Sequence, residues 1–511
     1  MLRYTLGLDK NVLKVVIGMK RKIVWGWTGL VACVLSLVAG GWAKVLHSQD
    51  APGLACPPER LPDFTATLDG RPLEMHNFKG GSFVIFEENG KSEVMIHAGF
   101  DVRWVNVRPL SAGIAGEIRP NHRDIRVAMK DATPLTVEFN DDLGQVLHLF
   151  PYKAGASAVH DAGPKVRYFG PGVHNAGLID LKSGETVYLA AGAWVKGKIR
   201  ARDAQSVSIE GHGVLDATEI VKGSAKGSDE YSEQAPILLD GTQGVRIEGI
   251  TIFNSHRWTV HLLRANGTKI DGIRILNPGE WNGDDGIDID SSSHVIVEDI
   301  FVRTNDDCVV VKNIADTGVT DIWLRHSVLW NMPNGGNGVE IGFENRSRAI
   351  SDVHVQDVDV IHVERGAAIS IHNGDSGVIE NVSYDNIRVE DAHRKLIDFT
   401  VLYAPYGPDR PASQNEINAR IDRGGTWDAS LCYLPGEKAA LAGRRGHIRN
   451  VTVKNLQVIA GALPYSVLAG YDAGHGVENV VIEGLSYQGH ALGDAGSAKL
   501  VTDYATGVVI K

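Results

Sequence analysis

The chain has 511 residues, enough for two or three domains or for one elongated repeat domain with attachments. Its formal net charge of −11 argues against a nucleic-acid partner, since phosphate binding needs clustered lysine and arginine, and its average field does not attract a strongly anionic substrate. The 58 glycines and the scarcity of helix-like stretches favour strands and turns.

A signal peptide is predicted at the N-terminus. Lys20-Arg21-Lys22 precede an apolar run from Ile23 to Ala43, the order of basic and apolar segments that secretory signals show, with Ala43 a candidate cleavage site. The run is about long enough to span a bilayer, so an anchor within residues 1–45 is the alternative. Leu30-Val31-Ala32-Cys33 also resembles a lipoprotein box. We expect a secreted or periplasmic protein, with membrane anchoring if the segment is retained.

A small β-sandwich is predicted over residues 60–152. Short runs in this region alternate apolar and polar residues, as in Ser82-Phe83-Val84-Ile85-Phe86, and turn signals such as Asn89-Gly90 separate them. That pattern is typical of two packed antiparallel sheets. We expect a passive module, and a share in the active site is the alternative.

From residue 165 to about residue 495 the chain repeats one template: apolar, any, apolar, any, any, apolar, any, apolar. The copies are mostly 23 to 31 residues apart, and two of them are Val245-Ile247-Ile250-Ile252 and Val295-Val297-Ile300-Val302. Two short alternations around a bend describe consecutive strands with one side facing inward, and such a period indicates a solenoid. Leucine-rich repeats would need many leucines, whereas this core is Val and Ile. The predicted fold class is therefore all-β, a right-handed parallel β-helix preceded by a small β-sandwich.

The densest acidic constellation lies on two successive coils. Asp285 and Asp306 are 21 residues apart, close to one coil, so Asp285, Asp306 and Asp307 are predicted to lie together on one face. Close like charges raise the pKa of one group, and glycosidic cleavage needs a protonated acid beside an ionised carboxylate. Two alternatives are a surface aspartate cluster in turns and a bound Ca²⁺.

These segments resemble signatures of glycoside hydrolase family 28, the polygalacturonases, where Asn-Thr-Asp-Gly is followed one coil later by Gly-Asp-Asp-Cys. The matching segments here are Gly283-Asp284-Asp285-Gly286 and Asn305-Asp306-Asp307-Cys308, and the resemblance covers about residues 165–490. It implies a glycoside hydrolase in which Asp306 is the general acid and Asp285 and Asp307 hold the attacking water. It also implies inversion of configuration, with carboxylates about 6.5–9.5 Å apart.

The later family signatures are altered. Asn337 stands where the family has the histidine of Gly-His-Gly, and Ala368-Ile369-Ser370 stand where it has Arg-Ile-Lys, so the two cations that grip galacturonate are missing. Glycoside hydrolase family 49, the dextranases and isopullulanase, is similar in plan, with a β-sandwich, a β-helix and three aspartates without that pair. We therefore expect a neutral or weakly charged glycan such as an α-glucan. A polygalacturonase or rhamnogalacturonase is the alternative.

Six further residues are candidates for substrate binding, and for each of them packing between coils is the alternative. They are Trp258, His261, Trp281, Asn337, Glu340 and His372. No cofactor and no metal are expected, and the expected partner is a polysaccharide bound by a monomer.

Two other functions fit the architecture. A polysaccharide lyase would abstract a proton next to a uronate carboxylate, usually with Ca²⁺ and a basic residue, and the missing cations count against it. A non-catalytic glycan-binding β-helix would bind oligosaccharide without releasing reducing ends.

Overall fold

A computed structural model describes residues 63–153, 163–220, 233–279, 283–403, 426–428, 431–433 and 437–511. The chain separates into two compact units at Pro57 and Pro58, and every described residue belongs to the second. The predicted signal or anchor segment, residues 1–45, lies outside the described residues. Among the described residues, no helix has the length and apolar character needed to cross a membrane.

Two five-stranded sheets form the first part of the described chain and pack around a core that includes Phe64, Ile96 and Phe139. One sheet has the order β2-β1-β5-β8-β7 and the other β3-β4-β10-β9-β6. Their strands are β1 (Phe64–Leu68), β2 (Arg71–Pro72), β3 (His76–Phe78), β4 (Gly81–Glu88), β5 (Glu93–Ala98), β6 (Val105–Arg108), β7 (Gly116–Ile118), β8 (Asp124–Ala128), β9 (Leu135–Phe139) and β10 (Asp142–Lys153).

Thirty further strands join in one continuous, almost wholly parallel ladder that winds from coil to coil. The strands of its first half are β11 (Val166–Phe169), β12 (Gly172–Leu181), β13 (Thr186–Leu189), β14 (Ala193–Arg202), β15 (Ser208–Gly211), β16 (Val214–Asp216), β17 (Ile237–Asp240), β18 (Arg246–Glu248), β19 (Thr251–Phe253), β20 (Val260–Leu263), β21 (Asn266–Asp271), β22 (Arg274–Leu276), β23 (Ile287–Asp290), β24 (Ser293–Glu298), β25 (Phe301–Thr304) and β26 (Val309–Lys312).

The second half of the ladder reaches Ile510, past the boundary at residue 495 that the repeat predicted, because the last strands are short and do not follow the template. Its strands are β27 (Thr320–Asn331), β28 (Val339–Gly342), β29 (Ile350–Val363), β30 (Ala367–Asn373), β31 (Val378–Val389), β32 (Lys395–Val401), β35 (His447–Val458), β36 (Tyr465–Ala469), β37 (Val477–Glu483), β38 (Ser486–Tyr487), β39 (His490–Ala491), β40 (Leu500–Asp503), β41 (Ala505–Thr506) and β42 (Val509–Ile510).

The remaining regular elements are short. A separate hairpin pairs β33 (Thr426–Asp428) with β34 (Leu431–Tyr433). A short α-helix, α1, spans Glu437–Leu441, and 3₁₀ turns occupy Leu110–Ala112 and Ala442–Arg444. The described chain is thus almost entirely β-structure, which confirms the predicted all-β fold of a parallel β-helix preceded by a β-sandwich.

Each coil is built from the sequence template. The apolar positions point inward and form a single core along the helix axis, as Ile247, Ile270, Val297 and Leu324 do in successive coils. The bend between the two halves of the template adopts positive φ, which glycine tolerates best and asparagine or aspartate accept more readily than other residues. Successive coils place Gly249, Gly272, Asp299, His326, Asp357, Asn386 and Asn455 at this bend.

A second apolar cluster joins the sandwich to the side of the β-helix. Phe83 and Phe150 of the sandwich pack in one cluster with Phe301 and Trp330 of the helix. His148 lies in the same interface, where burial and the charge of Arg303 lower its pKa. The neutral imidazole accepts from Arg303 Nη1 through Nε2 at 3.0 Å, and its Nδ1 lies 2.9 Å from Thr136 Oγ1. The sandwich therefore holds β25, the strand that leads into the turn with Asp306.

Replacing Phe301 by alanine is expected to destabilise the protein strongly. The Phe301 ring is fully buried and lies 5.2 Å from the rings of both His148 and Phe150, so its loss leaves a cavity between the two domains. We expect urea denaturation to show a loss of about 3–5 kcal/mol in unfolding free energy. The control Tyr465→Ala removes an aromatic ring that is 59% exposed, and should change stability by at most about 0.5 kcal/mol. Equal effects of the two changes would contradict the described interface.

Candidate active site

The three predicted aspartates lie in the turns that precede β23 and β26, two strands that pair in parallel. The register sets Ile287 beside Val309, and the Gly286 amide donates to the Asp307 carbonyl at 2.9 Å. Continued two residues outward from that pair, this register sets Asp285 above Asp307, with Asp306 beside them. The structure therefore brings Asp285, Asp306 and Asp307 together at one edge of the same sheet.

Asp306 is the most exposed of the three carboxylates. Its Oδ2 accepts from the Gly283 amide at 2.8 Å, and its Oδ1 accepts from the Asp307 amide at 3.1 Å. Burial and the charge of Asp285 raise the pKa of Asp306 to about 7, against an opposing effect of Lys312. An acid that holds a proton near neutral pH and remains partly open to solvent can donate that proton to a bound ligand.

Asp307 is buried and held from the following coil. Its Oδ1 accepts from both the backbone amide of Asn337, at 2.7 Å, and the Asn337 side-chain amide, at 2.9 Å. Burial raises the pKa of Asp307, and the charges of Asp306, Asp285 and Glu340 add to this effect. Asp306 and Asp307 both have raised pKa values and influence each other. Each protonation step therefore belongs to the pair and not to one residue.

Lys312 at the end of β26 supplies the positive charge that the sequence analysis did not find. Its Nζ lies 3.0 Å from Asp285 Oδ2, 2.8 Å from Asp288 Oδ1 and 3.2 Å from Glu344 Oε2. Burial opposes its charge, but these three carboxylates outweigh burial and raise the pKa of Lys312. Asp285 is thus paired with a cation, whereas Asp306 and Asp307 compete for a proton.

Register alone could have found Lys312. It lies one coil beyond Asp290 in the ladder, on the same face of the sheet as Asp288, where alternation would otherwise place outward-facing side chains. The available signal for a buried cation was a single lysine that follows three valines, at a position where the preceding coil carries an aspartate. The coil length that aligns these rows becomes evident only from the pairing itself.

Trp258 and His261 lie on the coil before Asp285, as predicted, and both are buried. The Lys312 ammonium lies 3.8 Å from the centre of the Trp258 ring, a cation–π contact, and the His261 ring meets Trp258 edge-on at 4.9 Å. His261 Nε2 also lies 3.4 Å from Asp290 Oδ2. Their sugar contacts stay a prediction, and Trp281 lies outside the described residues.

Asn337, Glu340 and His372 form one hydrogen-bonded group beside Asp307. Glu340 Oε2 accepts from Asn337 Nδ2 at 3.0 Å, from His372 Nδ1 at 2.8 Å and from the Ser370 hydroxyl. His372 Nε2 pairs with Asp398 Oδ2 at 3.1 Å. The three predicted residues therefore lie together, and they contact one another, Asp307, Ser370 and Asp398. Substrate binding by them stays a prediction.

A calcium ion shared by the three aspartates finds little support in this geometry. Within the described ranges, the group of three acidic or histidine side chains with donor atoms within 4.8 Å of one another is Glu364, Asp391 and His393, away from the aspartates. Asp285 is instead paired with Lys312, a cation that would repel a metal ion.

A β-helix with stacked aspartates at the edge of one sheet is the plan expected of a glycoside hydrolase, and a family model agrees with it. The model, described as glycosyl hydrolases family 28, matches residues 177–419 and so includes all three aspartates. This match confirms the predicted resemblance to the β-helix glycoside hydrolases of family 28.

Sequence relatives point to the same family. Polygalacturonase from Chamaecyparis obtusa is 27% identical over 248 residues, which cover 46% of each chain. Polygalacturonase from Fusarium fujikuroi is 28% identical over 218 residues, 39% of this chain and 55% of that protein. The chain thus spans about half the length of the curated relatives it matches.

A solved structure matches over nearly the whole chain. Dex49A from Penicillium minioluteum superposes with a TM-score of 0.63 at 16% identity, covering 89% of this chain and 94% of that one. At this identity the likeness shows the fold. The predicted resemblance to families 28 and 49 is confirmed.

Gly336→Ala is expected to abolish most activity. Gly336 has φ +72°, and a Cβ there would lie 2.3 Å from the Asp306 carbonyl carbon and 2.4 Å from the Asp307 nitrogen, so both aspartates would have to move. A displacement of about 1 Å can cost about 10²-fold in rate. At the adjacent Gly335 an added Cβ meets nothing within 4 Å, so Gly335→Ala is the matched control. Similar rates for both variants would contradict the close approach at Gly336.

Lys312→Met is expected to destabilise the folded protein by about 3–5 kcal/mol at neutral pH, because it leaves buried carboxylates without their cation. The deficit should narrow as the pH is lowered, since those carboxylates then become neutral. Denaturant unfolding of both proteins across a pH series measures this. Lys196→Met, which removes an exposed pair with Glu219, should change stability by less than about 1 kcal/mol. A deficit that does not vary with pH would contradict the charge pairing.

Proposed function

We propose that this protein hydrolyses glycosidic bonds of a neutral or weakly charged polysaccharide, such as an α-glucan, by an inverting acid–base mechanism. The observation that carries the proposal is the charge arrangement of the three aspartates. Asp306 is partly exposed with a pKa near 7, while Asp285 is paired with Lys312. A protonated acid beside an ionised carboxylate is the pair that glycoside hydrolysis requires.

The reaction follows from these protonation states. Asp306 donates its proton to the glycosidic oxygen as the bond from that oxygen to the anomeric carbon breaks. A water molecule held by Asp285 and Asp307 attacks the anomeric carbon from the opposite face and gives up a proton to a carboxylate. Positive charge that develops on the sugar ring is stabilised by the nearby carboxylates. The roles of the individual aspartates follow the resemblance to family 28.

The charge balance of the site favours a neutral sugar. Lys312 faces three carboxylates, and His372 lies between Glu340 and Asp398, so both cations are already engaged by protein carboxylates. A uronate carboxylate would have to compete with these partners and would approach several like charges. A neutral sugar meets no such repulsion.

Polygalacturonate is the second candidate substrate, and sequence similarity favours it. The relatives that match the catalytic coils carry the name polygalacturonase, and the family 28 model covers the same coils. This candidate requires a cation that can release its carboxylate partner to the substrate. His372 and Lys312 are the residues to test.

We also assign the protein to the secreted or periplasmic compartment, on the basic and apolar segments near its N-terminus. A polysaccharide too large to enter a cell requires an exported enzyme. Action as a monomer on the polysaccharide, without a nucleic-acid partner, belongs to the same proposal.

Screening of the purified protein on dextran, pullulan, polygalacturonate and rhamnogalacturonan tests the proposal. We expect reducing sugar from a neutral glucan, and kcat/KM should fall as the pH rises through about 7, because Asp306 then loses the proton that it donates. Asp306→Asn should reduce kcat by about 10²–10⁴-fold. Asp316→Asn is the control and should leave kcat unchanged, because Asp316 lies after the end of β26, where its carboxylate accepts from the Ser347 hydroxyl and the Arg348 amide.

Three outcomes would contradict the proposal in different ways. Release from polygalacturonate alone would assign the second candidate. An unsaturated product absorbing in the ultraviolet would indicate a lyase. Binding of oligosaccharide without release of reducing ends, unchanged in Asp306→Asn, would indicate a glycan-binding protein.

A further inference from the structure

A continuous line of buried polar side chains runs across four successive coils, from Asp307 toward the protein surface. Strands β26, β28, β30 and β32 lie side by side, and the register stacks Glu340, Ser370 and Asp398 in one row. Hydrogen bonds and ion pairs connect Asp307 to Asn337, Asn337 to Glu340, Glu340 to His372 and His372 to Asp398. Buried polar groups at an outward-facing row need a reason, because their desolvation is costly.

The first link fixes the orientation of Asn337. Its Oδ1 accepts from the Ala367 amide at 2.9 Å, so its nitrogen must face the opposite way. The two hydrogens of that nitrogen go to Asp307 Oδ1, at 2.9 Å, and to Glu340 Oε2, at 3.0 Å. Both side-chain hydrogens of Asn337 are thereby used, and its side-chain oxygen is hydrogen-bonded as well. Asn337 can donate to Asp307 and to Glu340 at once in this rotamer.

The second link supplies charge. Burial opposes protonation of His372, but the carboxylates of Glu340 and Asp398 outweigh burial and raise the pKa of His372 to about 10. Around the imidazolium lie Glu340 from β28, Asp398 from β32, and the Phe343 ring edge-on at 5.2 Å. Asp398 is also paired with Lys395 and accepts from Thr400 Oγ1 at 2.8 Å. Among the residues that the structure describes, the cation in contact with Glu340 is His372.

The charge of Glu340 matters for Asp307. Among the charges with the largest effect on Asp307, those of Asp306, Asp285 and Glu340 favour its protonated form, and that of Lys312 favours its ionised form. If the charge of His372 were removed, the unbalanced Glu340 would make ionisation of Asp307 harder. The distribution of the shared proton would then shift further toward Asp307 and away from Asp306, the proposed acid.

We propose that His372 is a positioning residue whose charge, acting through Glu340 and Asn337, favours the ionised form of Asp307 and so favours retention of the shared proton by Asp306. The inference rests on the proposed hydrolysis for its kinetic readout. It assigns His372, Glu340 and Asn337 to the control of protonation, a role distinct from contact with the sugar. Two observations carry the proposal. One is the chain of contacts from Asp307 to Asp398, and the other is the position of the His372 cation beside Glu340.

His372→Gln removes the charge and keeps a hydrogen-bond donor. We expect the ascending, low-pH limb of the kcat/KM profile to move up by about one pH unit, because Asp307 now keeps its proton to higher pH. On this proposal KM should change by less than about twofold, since the effect of His372 reaches the site through Asp307. His354→Gln is the matched control, because His354 also bridges two coils, to Ser383 Oγ at 2.7 Å, on another strand row. Its profile should not move.

Two further variants separate charge from structure. Glu340→Gln should move the ascending limb down, and the double variant Glu340→Gln with His372→Gln should return it close to that of the unmodified protein, since both charges are then absent. A structural role for His372 would instead lower kcat by the same factor at every pH, lower the melting temperature, and make the double variant worse than either single one. An unmoved limb in His372→Gln, or shifts that simply add, would overturn the proposal.

A measurement without substrate keeps this inference independent of the proposed activity. With carboxyl-¹³C-labelled aspartate, the Asp307 signal can be assigned by its loss in Asp307→Asn and titrated by NMR. The midpoint should rise in His372→Gln and return in the double variant. If no glycan is cleaved but the titration shifts in this way, the proposed function fails and the coupling stands. If glycan is cleaved and the titration does not shift, the coupling fails alone.

Discussion

The structure depends on the parallel register that sets each residue directly above its counterpart in the next coil. This spacing is about 4.8 Å, so a side chain placed once per coil interacts with its neighbours above and below. For the inward Val and Ile positions the result is a continuous apolar core. For the positions at the sheet edge the same spacing stacks Asp285 above Asp307 and forces carboxylates together. The stability of the fold and the chemistry of the site have one geometric origin.

Charge compensation then decides what the stacked carboxylates can do. Lys312 pairs with Asp285 and His372 balances Glu340, so the unresolved competition for a proton is confined to Asp306 and Asp307. Lys312 follows Asp290 in one row of the ladder, whereas His372 stands between Gly342 and Thr400 and pairs with Glu340 and Asp398 of the neighbouring row. A buried cation in such a row costs desolvation, and only several carboxylates together can offset it. The charges of the site therefore balance one another, and a change to one charged residue alters the protonation of the others.

The sandwich contributes to this arrangement indirectly. Its aromatic side chains cover the outer face of the β-helix next to β25, and its neutral His148 holds the buried guanidinium of Arg303. Arg303 is three residues before Asp306 on the same strand and turn. A module predicted to be passive thus packs against the strand that leads into Asp306, and it also contacts Glu390 and His362 farther along the β-helix.

The sequence by itself determined the solenoid and the three aspartates, because both depend on local periodicity: inward apolar positions repeat along each coil, and Asp285 and Asp306 are about one coil apart. It could not place Lys312, because Asp285 and Asp288 lie on the coil before it and Glu344 on the coil after it. It also could not predict the link from Asp307 through Asn337 and Glu340 to His372. Coil lengths vary with their loops, so the register that aligns these residues is fixed only when the strands pair. Burial, and with it the protonation of each group, follows from that packing and was decided by the tertiary structure alone.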